Sequence, residues 1–141
     1  MAEKLCPAAA EVMKERFGHD NLIALATVED GKPFVRAVNS LYIDGSFYVI
    51  THALSGKIRH IEKEPATAIC GDWFTGQGIG RNLGHVSGHP DLMEKLRAAF
   101  AGWYRNGHVN ENDPNTVILQ IELTDGVLFD HGTRYDIDFT A

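Results

Sequence analysis

Three Asp-Gly dipeptides, Asp30-Gly31, Asp44-Gly45 and Asp125-Gly126, separate runs of alternating and β-branched apolar residues. Asp-Gly accepts positive φ at both central positions of a two-residue turn, the geometry whose twist matches a pair of right-twisted strands. Strands joined this tightly run antiparallel, because a parallel pair needs a crossover of a dozen or more residues. The expected class is therefore mainly β (α+β): six or seven antiparallel strands with peripheral helices.

Read in order, AAAEVMKERF at 8–17 is a run of helix formers with Gly18 at its stop. A three-strand meander follows at 22–29, 33–43 and 46–52. A short helix at about 56–63 ends at Glu64-Pro65, since proline disfavours helical geometry in the residue before it. ATAICGDWF is expected as a fourth strand, TGQGIGRNLG as a structural loop with a lid or cofactor-edge role as the alternative, and LGHVSG as a short fifth strand. The glycine loop fails the dinucleotide fingerprint, because Arg81 stands in place of the third glycine and a strand follows instead of a helix. His89-Pro90-Asp91 opens a helix over 91–104 whose Leu92, Leu96, Phe100 and Trp103 form one apolar stripe. After a polar linker, NTVILQIEL is a strand with Val117, Leu119 and Ile121 on one face; Thr124-Asp125-Gly126 turns the chain into GVLFDHGTRYDIDF, the last strand.

The densest chemistry lies in RAVNSLYIDGSFYVITHALSGK, Arg36 to Lys57. Ser55 stands where a helix N-cap belongs, Gly56 permits close backbone approach and Lys57 falls in the first turn. Free backbone N–H groups and a lysine at a helix start suit a phosphate, and Arg36 on the preceding hairpin offers a second cation with a planar fork. The same residues also read as an ordinary cap and two solvated cations.

The order Arg-x-Val on a strand, Asp-Gly turn, aromatic strand ending in Thr, then Ser-x-Lys opening a helix that runs into Glu-Pro resembles the pyridoxamine 5′-phosphate oxidase-like family. The resemblance spans roughly residues 20 to 137 and includes the general-stress-protein group. It implies a split β-barrel that binds FMN at a two-fold dimer interface, with Arg36, Val38, Thr51, Ser55 and Lys57 holding the cofactor together with their neighbours Ala37, Asn39 and His52. It also implies an aromatic and an arginine near the flavin from the last strand, in some members across the dimer interface; Phe129 and Arg134 stand at similar positions. In the vitamin B6 oxidases proper a glutamine precedes the fifth strand and touches the flavin. Leu83 is at about that place here, a departure that counts against transfer of that activity.

At 141 residues the chain is expected to form a single domain, 1–141. Thirteen Lys and Arg against 19 Asp and Glu leave a net charge of −6, which gives no general attraction for nucleic acid. No apolar run approaches the roughly 20 residues of a membrane span, and the N-terminus has no long apolar stretch of a signal peptide, so a cytoplasmic protein is expected. Cys6 and Cys70 form no CxxC. His85 and His89 are four apart, but Gly88 and Pro90 break the helix that would put them on one face, so no metal site is expected. Two functional classes remain: an FMN-dependent oxidoreductase passing electrons from a reduced nicotinamide to a small acceptor, or a flavin-binding or cofactor-free sensor, stress or storage module without turnover, with haem or deazaflavin in the same groove a further alternative.

Overall fold

A computed structural model describes residues 2–141; Met1 and the side chain of His108 lie outside the described residues. The elements are β1 (Glu3–Lys4), α1 (Pro7–Phe17), β2 (Asn21–Glu29), β3 (Lys32–Ile43), β4 (Ser46–His52), α2 (Gly56–Lys63), β5 (Ala66–Gly71), β6 (Phe74–His85), α3 (Pro90–Ala99), β7 (Thr116–Asp130) and β8 (Thr133–Asp138). The first two turns form at the expected dipeptides. Asp30 and Gly31 take φ of 52° and 76°, and Asp44 and Gly45 take 44° and 90°, the paired positive values that a tight hairpin requires.

Six antiparallel strands close into a barrel in the order β7-β4-β3-β2-β5-β6 and back to β7. The length of β7 splits the barrel: residues 116–122 pair with β4, residues 125–130 pair with β8 on the same side, and β6 runs along the other side from Val117 to Leu128. β1 adds a short parallel pair to the free edge of β8, Glu3 opposite Ile137, the one parallel pairing among the described residues of a sheet expected to be antiparallel.

The barrel interior is aromatic. Phe17 from α1 meets Phe47 edge-on at 5.4 Å and Phe74 at 5.9 Å, and all three are essentially inaccessible. Burying each such ring contributes on the order of 1.5–3 kcal/mol. Val117, Leu119 and Ile121 point into this core from one face of β7, while Ile118 faces outward. It packs with Leu41 under Met93, Leu96 and Phe100, so α3 lies against the outside of the barrel as the apolar stripe predicts.

Several boundaries differ from the sequence reading. Asp125-Gly126 makes no turn; β7 runs straight through it, and the chain reverses at His131 and Gly132, with φ of 48° and 83°. The expected last strand is therefore the end of β7 plus β8. Gly126 is instead a point of close approach: a β-carbon there would stand 2.7 Å from the Phe74 ring. The glycine-rich 75–84 stretch is not a loop but β6, paired to β5 on one side and β7 on the other. Gly76, Gly78 and Gly80 are there because neighbours press on them; a β-carbon on Gly78 would lie 2.6 Å from the Glu122 carbonyl oxygen, and one on Gly80 2.9 Å from Ile61, whereas Gly84 has open space and a φ of 90°. The expected strand LGHVSG is the end of β6 plus a single tight turn over Val86–Gly88. The expected fourth strand, written through to Phe74, stops at Gly71, and the reversal is made by Trp73 at φ 53°. The helix expected over 91–104 ends at Ala99, followed by a wide turn at Tyr104–His108 that carries Gly107 at φ 87°.

Candidate functional site: a cationic cleft at the start of α2

β3, β4 and the start of α2 meet at one end of the barrel, around a cleft of about 450 Å³. Its walls are Val38 and Asn39 from β3, Val49, Ile50 and Thr51 from β4, Lys57 from α2, and Trp103 and Val109 from the segment after α3. That volume lies within the range of small-molecule sites. α2 is oriented by its buried face, Ile58, His60 and Ile61, which sets its first turn beside the end of β4.

Lys57 is the cation of the cleft wall; Arg36 lies close enough for its charge to act on Lys57, but neither it nor Ser55 is among the walls. Lys57 Nζ donates to Thr51 Oγ1 at 2.8 Å. Arg36 Nη1 donates to the Leu25 carbonyl at 3.2 Å and to Thr27 Oγ1 at 2.7 Å. Among the described residues neither has a carboxylate partner, whereas five other arginines, Arg16, Arg59, Arg81, Arg97 and Arg134, do. Burial, and then the neighbouring Arg36 charge, lower the Lys57 pKa, and burial lowers that of Arg36. Both shifts mean that the charged forms are disfavoured as the protein stands, which an anion would relieve.

Ser55 occupies the N-cap position of α2 as expected, but its side chain makes no capping bond. Its Oγ is buried without any hydrogen-bond partner. A buried hydroxyl left unsatisfied costs on the order of 1–3 kcal/mol, so this group too is suited to an acceptor from outside the chain.

The remaining expected residues divide between the cleft and other places. Val38 and Asn39 line the cleft, Asn39 Nδ2 donating to Asp20 Oδ1 at 3.0 Å. Ala37 is exposed on the outer face of β3. His52 is at the end of β4, its Nε2 3.4 Å from Asp113 Oδ2, in an adjoining cavity of about 380 Å³ that shares Ile50, Thr51 and Val109 with the cleft. Phe129 and Arg134 face each other across the β7–β8 ladder, the guanidinium 5.7 Å over the ring, and neither lines this cleft within one chain. Arg134 is held there by Asp136 at 2.9 Å, which also raises its pKa.

Sequence reasoning missed Trp103 and Val109 as cleft walls, having assigned Trp103 to the helix stripe and Val109 to the linker. Trp103 does stack on Phe100, at 4.9 Å, but it lies beyond the end of α3. Its Nε1 donates to Asp20 Oδ2 at 2.9 Å, so Asp20 ties the Trp103 wall to the Asn39 wall. His85 and His89 spend ring nitrogens on main-chain carbonyls, those of Asp113 at 3.0 Å and Leu83 at 2.7 Å.

A small six-stranded antiparallel barrel, split by one long strand and carrying a cationic cleft at a helix start, defines the class. The sequence model of the pyridoxamine 5′-phosphate oxidase family matches residues 9–128, and the chain belongs to that family. Among solved structures it is similar to general stress protein 26 from Bacillus anthracis str. Sterne, at 20% identity and a TM-score of 0.69 over 90% of this chain and 97% of that one. It is likewise similar to an FAD-binding protein from Mesorhizobium loti, at 16% identity and TM-score 0.66 over 83% and 91% of the two chains. A heme binding protein from Mycobacterium smegmatis aligns at 11% identity and TM-score 0.66, covering 87% of this chain and 54% of that one. At these identities the likeness carries the fold alone. No curated protein matches the chain. No helix among the described residues is long and apolar enough to cross a membrane.

Proposed function

We propose that this chain binds a flavin, FMN, in the cleft between β3, β4 and α2, and works as an oxidoreductase. The observation that carries the reading is the pair of half-buried cations, Arg36 and Lys57, with no carboxylate partner among the described residues, beside the unpartnered Ser55 hydroxyl. That donor set fits a terminal phosphate: two positive charges, a hydroxyl and the free N–H groups of a helix start. Bound there, the flavin would supply redox chemistry between a reduced nicotinamide and a small acceptor.

The chain's own residues bind and orient. Lys57, held by Thr51, and Ser55 anchor the phosphate, with Arg36 completing the cationic side. Val38, Val49 and Trp103 provide apolar walls suited to a planar ring system and exclude water from one side of it. The FAD-binding relative of the same fold supports a flavin.

A second copy of the chain belongs to the same proposal. The outer face of the β2–β3 hairpin pairs Ala24 with Ala37 and Ala26 with Val35, and extends to Ala68 and Cys70 on β5. Leu22 and Val35 on it are 63% and 70% exposed. A smooth apolar sheet face of this kind suits a two-fold contact, and a two-fold partner is the source from which Phe129 and Arg134 would reach a cleft they do not line in their own chain.

The absorption spectrum of the purified protein tests the cofactor. Flavin bands that follow the protein through dialysis, or appear on adding FMN to cofactor-free protein, are expected; a Soret peak in their place would refute the reading in favour of haem. Light scattering should return twice the 15.6 kDa of one chain, and a monomer at micromolar concentration would refute the dimer.

A further inference from the structure

Behind Arg36 lies a buried polar chain that the cofactor reading does not use. Thr27 on β2 is fully buried and accepts from Arg36 Nη1 at 2.7 Å, while its oxygen also lies 2.8 Å from Nδ1 of His60, a histidine only 3% exposed on α2. The Thr27 hydroxyl has one proton to give. With Arg36 acting only as a donor, that proton is free for His60 Nδ1, and in that arrangement the ring carries its own proton on Nε2, toward Glu29. Nε2 stands 3.7 Å from Glu29 Oε1, and Glu29 is itself gripped by Arg59 at 3.0 Å. The other groups facing the imidazole are Arg59 Nη2 at 3.5 Å and the Phe34 ring at 4.8 Å.

The consequence for Arg36 is geometric. A guanidinium has five N–H donors; Nη1 spends its two on Leu25 O and Thr27 Oγ1, and 5 − 2 leaves three on Nε and Nη2. Among the described residues those three have no protein acceptor. The Nε–Nη2 edge is the fork that grips an oxyanion in two parallel bonds. His60 is also coupled to the helix start, since its Nε2 lies under Gly56, where a β-carbon would touch it at 3.9 Å.

We infer that Thr27 and His60 are positioning residues, holding Arg36 by its Nη1 corner so that the Nε–Nη2 edge is presented to a phosphate; this rests on the phosphate reading of the cleft. Neither residue touches the ligand. The inference predicts that Thr27→Val, which keeps shape and burial, weakens anion binding about tenfold, as for loss of one hydrogen bond to a charged group. Thr27→Ser restores it, and Thr27→Val has no further effect in an Arg36→Ala background.

Two probes, FMN and inorganic pyrophosphate, are titrated into cofactor-free protein of each variant, and nitrogen-15 spectra of the wild-type protein report the His60 tautomer. Equal FMN affinity for wild type and Thr27→Val, or an undiminished Thr27→Val effect in the Arg36→Ala background, would overturn the inference and leave the flavin reading intact. Pyrophosphate binding that shows the expected pattern without FMN binding would overturn the flavin reading and leave this inference standing. Binding of neither probe overturns both. Should Thr27→Val fail to fold, the tautomer decides: a proton on Nε2 supports the chain as described, and one on Nδ1 refutes it.

Discussion

Replacing Lys57 by methionine removes a charge while keeping most of the side-chain volume, and the structure predicts opposite signs for its two effects. In the cofactor-free protein the Lys57 ammonium is part-buried, lies beside the Arg36 charge and has one neutral partner, Thr51 Oγ1 at 2.8 Å. Losing that hydrogen bond costs about 1 kcal/mol, and relief of desolvation and of repulsion from Arg36 offsets it. The melting temperature should therefore stay within about 3 °C of wild type or rise. FMN binding should weaken ten- to a hundredfold, because a charge-assisted contact to phosphate contributes about 1.5–3 kcal/mol. The pH dependence follows from the direction of the shift. Lys57 has a folded pKa below its unfolded one, so in the window between them the unfolded chain binds more protons and the stability of cofactor-free protein rises with pH. The methionine variant should lack that rise. Fluorescence quenching of FMN gives the affinity and a thermal melt gives the stability. An unchanged affinity, or a melt lowered by well over 5 °C, would refute the reasoning by making Lys57 a structural residue instead of an anion ligand.

Arg36→Ala should weaken FMN binding by a similar ten- to hundredfold, and titrations from about 0.05 to 0.5 M salt should narrow the gap from wild type if the cleft is open to solvent; a salt-independent gap would argue for a packing effect. Arg97 and then Tyr104 hold the Glu111 carboxyl down to about 2, so its contribution is fully present above its ordinary value of 4.5 and fades as pH falls toward 2. Glu111→Gln should accordingly cost at most about 1 kcal/mol at pH 7, since the pair is solvent-screened, with the two melting curves converging near pH 2; a gap that persisted there would refute the pairing. Gly126→Ala forces a β-carbon to 2.7 Å from the Phe74 ring and 2.9 Å from the Thr75 carbonyl oxygen. It should destabilise the fold by about 1–3 kcal/mol, visible as a lowered denaturant midpoint, and an unchanged midpoint would refute the packing account.

The local part of this fold was legible wherever a short stretch carried its own instructions. The turns at Asp30-Gly31 and Asp44-Gly45, α1 and α2, and the inward face of Val117, Leu119 and Ile121 all follow from dipeptide geometry, propensity and alternation. What failed was the reading of glycine. Asp125-Gly126 and the run Gly76, Gly78 and Gly80 carry the residue that marks turns, yet they lie inside long strands because ring, carbonyl and Ile61 contacts leave no room for a β-carbon. The reversals of β5 and β7 fall instead at Trp73 and at His131-Gly132. A glycine in sequence records only that a side chain is absent; whether the backbone needs freedom or the neighbours need space is decided by elements far along the chain. The same division applies to the cleft. Sequence named Lys57 and Arg36, but only the tertiary fold could bring Trp103 and Val109 to the cleft, leave Ser55 Oγ without a partner and place buried His60 on Thr27 behind Arg36, because these depend on how elements distant in sequence pack.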